Sequence, residues 1–165
     1  MRVMGIDPGS LCTGYGIVEE TVGGLSPVHF GSIKSQSKTP FAHRLKAIYD
    51  GLIVVIEDYR PDAVAVEDMF FAVNAKSAIK LGQTRGVALL AAVNADIALA
   101  EYTPLEVKQS VVGYGRADKH QVQDMVTALL NLKEKPEPLD ASDALAVAIC
   151  HLHSYQARAR LKTGV

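Results

Sequence analysis

At 165 residues, 48% hydrophobic and 21% charged, the chain has the length of one ordinary domain and enough apolar residues to bury a core, which excludes a disordered or fibrous protein. Its longest apolar run, residues 86–95, is closed by Arg85 and Asp96, well short of the roughly 20 residues a spanning helix needs, and the first residues hold too short an apolar run for a secretion signal. Cys12 and Cys150 have neither zinc-site nor disulfide spacing, so the expectation is a cytoplasmic protein with no membrane partner.

Residues 2–7 read as a strand buried on both faces, closed by Asp7 and a Pro8-Gly9 turn. A second run over 13–22, the tight-turn signal Gly23-Gly24 and a return over 25–35 predict a hairpin. Phe41, Leu45, Ile48, Tyr49, Leu52, Ile53 and Ile56 recur at helical spacing, predicting a helix that ends near Pro61. The run Ala63-Val64-Ala65-Val66 is a short buried strand ending on Glu67, followed by a long helix over 75–95 and a fifth strand over 97–102. Three helices come last: one from Pro104, one over about 119–131 with Asp118 and Gln121 as a capping-box pair, and one over about 141–157. This order implies an α/β fold in a single domain, 1–165. Its five-stranded mixed sheet is antiparallel through strands one to three and parallel thereafter, with helical crossovers and helices on both faces. The turn after the first strand and the C-terminal ends of strands one and four then open on the same edge.

That edge gathers carboxylates. Asp7 and Glu67 each close a buried strand, where a charge is costly unless it is paired, bound to a cation or facing a cleft. Asp140 reads most simply as the N-cap of the last helix, and Asp143, three residues on, shares its face. Two carboxylates so close repel unless a cation or a shared proton intervenes. Four acids at element ends are what a site for two hard, oxygen-liganded cations requires. Taken singly, each remains compatible with a solvated turn or cap.

The net charge of −1 hides a segregation of basic residues. Residues 69–95 carry Lys76, Lys80 and Arg85 with no acid, and residues 144–165 carry Arg158, Arg160 and Lys162 with none. Lys108 and Lys119 flank a glycine-rich stretch, Val111-Val112-Gly113-Tyr114-Gly115, which also has Arg116 beside it and suits close approach to a phosphate backbone, or is a plain surface loop. Of the adjacent aromatics Phe70 and Phe71, one is available to stack on bases if it is not core. Gly82 and Gly86, four apart on the long helix, expose backbone beside Ala78 and Leu90 and suit either packing on the sheet or contact with a second copy. His151 and His153 point different ways on a helix and do not share a metal.

Gly5-Ile6-Asp7-Pro8-Gly9-Ser10 with Thr13-Gly14-Tyr15-Gly16, Val66-Glu67 with Phe70, Lys80-Leu81-Gly82-Gln83 with Arg85-Gly86, Val107-Lys108-Gln109, Lys119 with Gln121-Val122, and Asp140-Ala141 with Asp143-Ala144-Leu145-Ala146 resemble, in order over residues 2–153, the RuvC family of Holliday-junction resolvases. The resemblance implies a ribonuclease-H-like nuclease domain, a homodimer, and paired symmetric nicking of four-way DNA in recombination and repair, leaving 5'-phosphate and 3'-hydroxyl ends. It implies two Mg²⁺ ions per site, with Mn²⁺ able to substitute, held by Asp7, Glu67, Asp140 and Asp143. Lys108 and Lys119 take the supporting catalytic positions and Phe70 the base-stacking one. Lys76, Lys80, Arg85 and Arg116 complete the expected DNA-binding set; Ala78, Gly82, Gly86 and Leu90 form the expected dimer face. Branch-migration motor proteins are further implied partners. Asp68 is an extra acid outside this pattern. Two other readings remain at this point: a non-catalytic nucleic-acid binding module on the same fold, and half of an actin or sugar-kinase type phosphotransferase. The phosphotransferase needs two such domains, and a P-loop is absent.

Overall fold

Strand β1 (Arg2–Asp7) runs through the centre of the sheet. It pairs antiparallel with β2 (Cys12–Thr21), which pairs antiparallel with β3 (Gly24–Lys34). On its other side β1 pairs parallel with β4 (Ala63–Glu67), and β4 with β5 (Ala98–Tyr102), giving the order β3-β2-β1-β4-β5. The computed structural model describes residues 1–68 and 74–163, with side chains to residue 157. Phe70 and its neighbours 69–73, expected to carry a base-stacking aromatic, lie outside the described residues.

The helices are α1 (Phe41–Tyr59), α2 (Ala75–Asn94), α3 (Pro104–Val112), α4 (Lys119–Leu129) and α5 (Leu139–Thr163). Alternation along β1 divides two cores across one sheet. Met4 and Ile6 join Ile17, Val64 and Val66 beneath α1 and α2. Val3 joins Val18, Ala63 and Ala65 beneath α3, α4 and α5. Sequence signals account for most of the ends. Arg60 caps α1 in the left-handed region before Pro61, its N–H donating to the Ile56 carbonyl at 2.8 Å. Thr103 and Glu106 form a capping box on α3, and Asp118 and Gln121 the expected one on α4.

Helix α5 departs from the reading of Asp140 as its N-cap. It begins at Leu139, and the Ala141 N–H already donates to the Pro138 carbonyl at 2.9 Å, so Asp140 stands inside the first turn. Three glycines let this helix lie directly on the sheet. Gly5 and Gly16 face each other across β1 and β2, and a Cβ on either would come within 3 Å of α5 backbone, at Ala144 and Ala148 for Gly5 and at Leu145 for Gly16. A Cβ on Gly14 would collide with the carbonyl of Asp140. The sheet thus fixes the height and the register of the helix that carries two of the four acids.

Candidate active site

Parallel pairing sets the first two acids side by side. Ile6 pairs with Val66, so the next residues, Asp7 and Glu67, leave adjacent strands at the same edge, about 5 Å apart in backbone. The first turns of α5 bring Asp143 against them and Asp140 to their far side, where Asp140 is in hydrogen-bond contact with the Cys12 thiol. Lys119, the first residue of α4, reaches over and donates from Nζ to Asp143 Oδ2 at 2.8 Å.

The electrostatics follow from crowding. Burial pushes Asp7 up from 3.8 to about 8, reinforced by the charges of Glu67 and Asp143 and opposed by Lys119. Glu67 rises from 4.5 to about 7 for the same first reason, then through Asp143, while Lys119, a hydrogen bond with Asp7 and the charge of Lys108 hold it down. The hydrogen bond to Asp143 and the surrounding carboxylates push Lys119 up against its own desolvation. Near neutral pH, Asp7 and Glu67 therefore compete for protons that a divalent cation would displace.

Glu67, Asp143, Lys108 and Lys119 line one cleft of about 220 Å³, floored by Val107, Val122 and Ala146. Among the described residues no three His, Cys, Asp or Glu side chains are already closed around a point. The Lys119 ammonium is bonded to Asp143. The donor set nevertheless fits a hard cation: carboxylate oxygens throughout, with two of the acids driven toward the protonated form in its place.

The turn after Asp7 is held by β2, by α1 and by the residue that follows β3. The carbonyl of Gly9 accepts from Thr13 Oγ1 at 2.7 Å, that of Ser10 from Arg44 Nη1 at 3.3 Å, and that of Leu11 from the Ser35 N–H at 2.9 Å. Arg44 is buried, with its guanidinium over the Phe41 ring at 5.1 Å. In the sequence Arg44 carries one signal only, a charge one position from the apolar stripe of α1.

The remaining expected residues scatter. Lys76 and Arg116 are exposed, and the ammonium of Lys80 lies 5.7 Å from the Phe41 ring centre. Arg85, expected at DNA, is instead committed to carboxylates. Its side chain, only 19% exposed, pairs with Asp68 at 3.2 Å and with Glu101, which ties α2 to the residue after Glu67 and to β5. Asp68 thereby acquires a structural role. Gly82, Gly86 and Leu90 are exposed along α2 and Ala78 is half-buried; a Cβ on either glycine would meet open space, so they do not serve packing on the sheet. His151 and His153 each have a partner of their own, Tyr102 and Ser110, as their divergent spacing suggests.

Comparison with known proteins places this architecture. Residues 3–151 match the model of the family "Crossover junction endodeoxyribonuclease RuvC". The chain is 59% identical over 155 residues to the protein of that name from Pelobacter propionicus, covering 94% of this chain and 88% of that one. It is 52% identical over 164 residues to its namesake from Caldanaerobacter subterraneus subsp. tengcongensis, covering 99% of each. Among solved structures, Thermus thermophilus RuvC in complex with a Holliday junction substrate superposes with a TM-score of 0.89 at 36% identity, covering 96% of each chain. With its ribonuclease-H-like sheet and its carboxylates on the shared strand edge, the chain belongs to the RuvC family of crossover junction endodeoxyribonucleases.

Proposed function

We propose that the protein resolves four-way DNA junctions at the cleft between β1, β4 and α5, by metal-dependent hydrolysis of one phosphodiester in each of two opposed strands. The convergence of Asp7, Glu67 and Asp143 with Lys119, in a chain of this family, carries the reading. Asp7, Glu67, Asp140 and Asp143 are the residues to hold Mg²⁺. When bound, a pair of such cations supplies the charge that makes a water acidic enough to attack and that stabilises the departing 3' oxygen. The protein's own groups do the rest. Asp7 and Glu67 give up the protons that burial favours, becoming ionised ligands. Lys119, bonded to Asp143, and Lys108, on the same cleft, would offer ammonium groups to the phosphate. The buried floor and the braced turn after Asp7 keep the acids from moving with the strand they cut.

The deciding experiment incubates the protein with an end-labelled four-way junction and with a linear duplex of the same sequence, with and without Mg²⁺. Paired nicks confined to the junction and dependent on metal are expected. Equal cutting of the duplex, or cutting in chelator, overturns the reading. The non-catalytic alternative is separated in the same gel, since it binds the junction without nicking it.

Two opposed strands call for two sites related by a twofold axis, hence for a second copy. The outer face of α2 suits that contact. Ile79, Leu90 and Val93 are exposed there at 62%, 50% and 58%, on the same stripe as Gly82 and Gly86, where a partner backbone can approach. Gly86→Leu is expected to give monomers in sedimentation at micromolar concentration and to uncouple the two nicks. An undisturbed dimer would move the interface elsewhere.

A further inference from the structure

Two large apolar side chains stand in the open on α3 and in the turn after it, and neither the metal chemistry nor the α2 face uses them. Leu105 is 59% exposed and Tyr114 is 56% exposed. Leu105 follows Pro104, which lines the cleft, and lies one helical turn from Lys108 on α3. Tyr114 lies in the turn between α3 and α4, after Gly113 at φ 78°, a left-handed position that favours glycine. The turn folds back so tightly that a Cβ on Gly115 would press into the Leu105 side chain, so the backbone just after Tyr114 packs on Leu105. The Ala117 N–H closes the turn on the Tyr114 carbonyl at 3.2 Å, and Lys119 begins the next helix two residues on.

The segment that carries the pair has the charges of a nucleic-acid surface. It holds Lys108, Arg116 and Lys119, whereas its two acids, Glu106 and Asp118, accept from backbone N–H groups at helix N-termini, where the helix dipole offsets their charge. An exposed aromatic on a segment that also carries Lys108, Arg116 and Lys119 fits a strand whose phosphates lie on the lysines and whose base lies on the ring; a protein partner's apolar face would not call for the cations.

We propose that Tyr114, in the turn packed on Leu105, is a stacking platform for an unpaired nucleobase flanking the phosphodiester to be cut, which seats that phosphate over the acids. The proposal rests on the junction-cutting reading above. Since stacking is felt only when a base is present, the loss of Tyr114 and the loss of the base should not add.

The test compares wild type, Tyr114→Ala and Tyr114→Phe on junctions that are intact or carry an abasic site at the nucleotide on one side or the other of the cut. Tyr114→Ala is expected to slow cutting of the intact junction roughly tenfold, in line with the loss of one base–aromatic stack. At one of the two abasic positions the wild type should slow by a similar factor and Tyr114→Ala by no more, while Tyr114→Phe, which keeps the ring, behaves as wild type throughout. Losses that multiply at both positions, or an intact junction cut at full rate by Tyr114→Ala, overturn the platform. A second readout needs no cutting. In metal-free complexes, 2-aminopurine at that nucleotide should be quenched by wild type and bright with Tyr114→Ala; equal fluorescence overturns the proposal even if the junction is never nicked. A wild type that quenches without nicking would instead overturn the nuclease reading and leave the platform standing.

Discussion

Asp7→Asn is expected to abolish junction cutting and, in metal-free buffer, to raise the melting temperature. Both follow from the same carboxyl. It is buried beside two other acids and holds its proton to about pH 8 in the fold, against 3.8 for the ordinary group. A folded-state value raised above the unfolded one means that its contribution to stability is complete below about pH 4 and is lost as the pH climbs through 8. Asn mimics the protonated form at every pH, so the variant's advantage should be absent at pH 4, grow through neutrality and level off above pH 8. At about 2–4 °C per kcal/mol for a chain of this length, the gain is within reach of ordinary calorimetry. Adding Mg²⁺ should reverse the order, since a ligand of the native state raises the melting temperature of the protein that binds it and does little for one lacking a ligating acid. A variant that melts below wild type at pH 8 without metal would show that the Asp7 charge is already compensated.

Gly14→Ala should also lose cutting, but with the opposite thermal signature. One methyl group at this position drives into the carbonyl of Asp140 and the N–H of Ala141, backbone atoms that cannot swing aside. The first turn of α5 must lift, at a cost of about 1–3 kcal/mol for overpacking, and melting should fall by several degrees. The lift carries Asp140 and Asp143 away from Asp7, and displacements near 1 Å at a reacting centre cost on the order of a hundredfold in rate. Junction binding in chelator should survive. Wild-type cutting by Gly14→Ala would mean that α5 need not rest on the sheet for the acids to meet.

Much of this arrangement is legible in the sequence. The alternating and continuous apolar runs, the Gly23-Gly24 turn and the Asp118–Gln121 cap predict the strands and the first four helices with shifts of one or two residues, because those signals are local, whereas the last helix, expected to end near 157, continues to Thr163. The strand-end positions of Asp7 and Glu67 are legible for the same reason. What escaped the reading depends on partners distant in sequence. Arg85 looks like one more cation of a basic segment until Asp68 and Glu101 are brought to it by the sheet. Arg44 looks like an ordinary helix charge until the Ser10 carbonyl arrives beneath it. Helix α5 starts at Leu139, two residues before the expected 141, since a proline just before a helix, here Pro138, loses only an N–H that would have gone unbonded.

The division of the four acids between β1 and β4 at one end of the chain's order and α5 at the other bears on when the molecule becomes able to cut. The centre of the sheet is synthesised first, and the glycine row that receives α5 stays uncovered until the last helix docks. Neither a nascent chain nor one whose C-terminal helix has come away can assemble the constellation, whatever acids it carries. If these acids cut DNA as proposed, strand scission is an attribute of the finished fold alone, and half-made copies leave intact DNA alone.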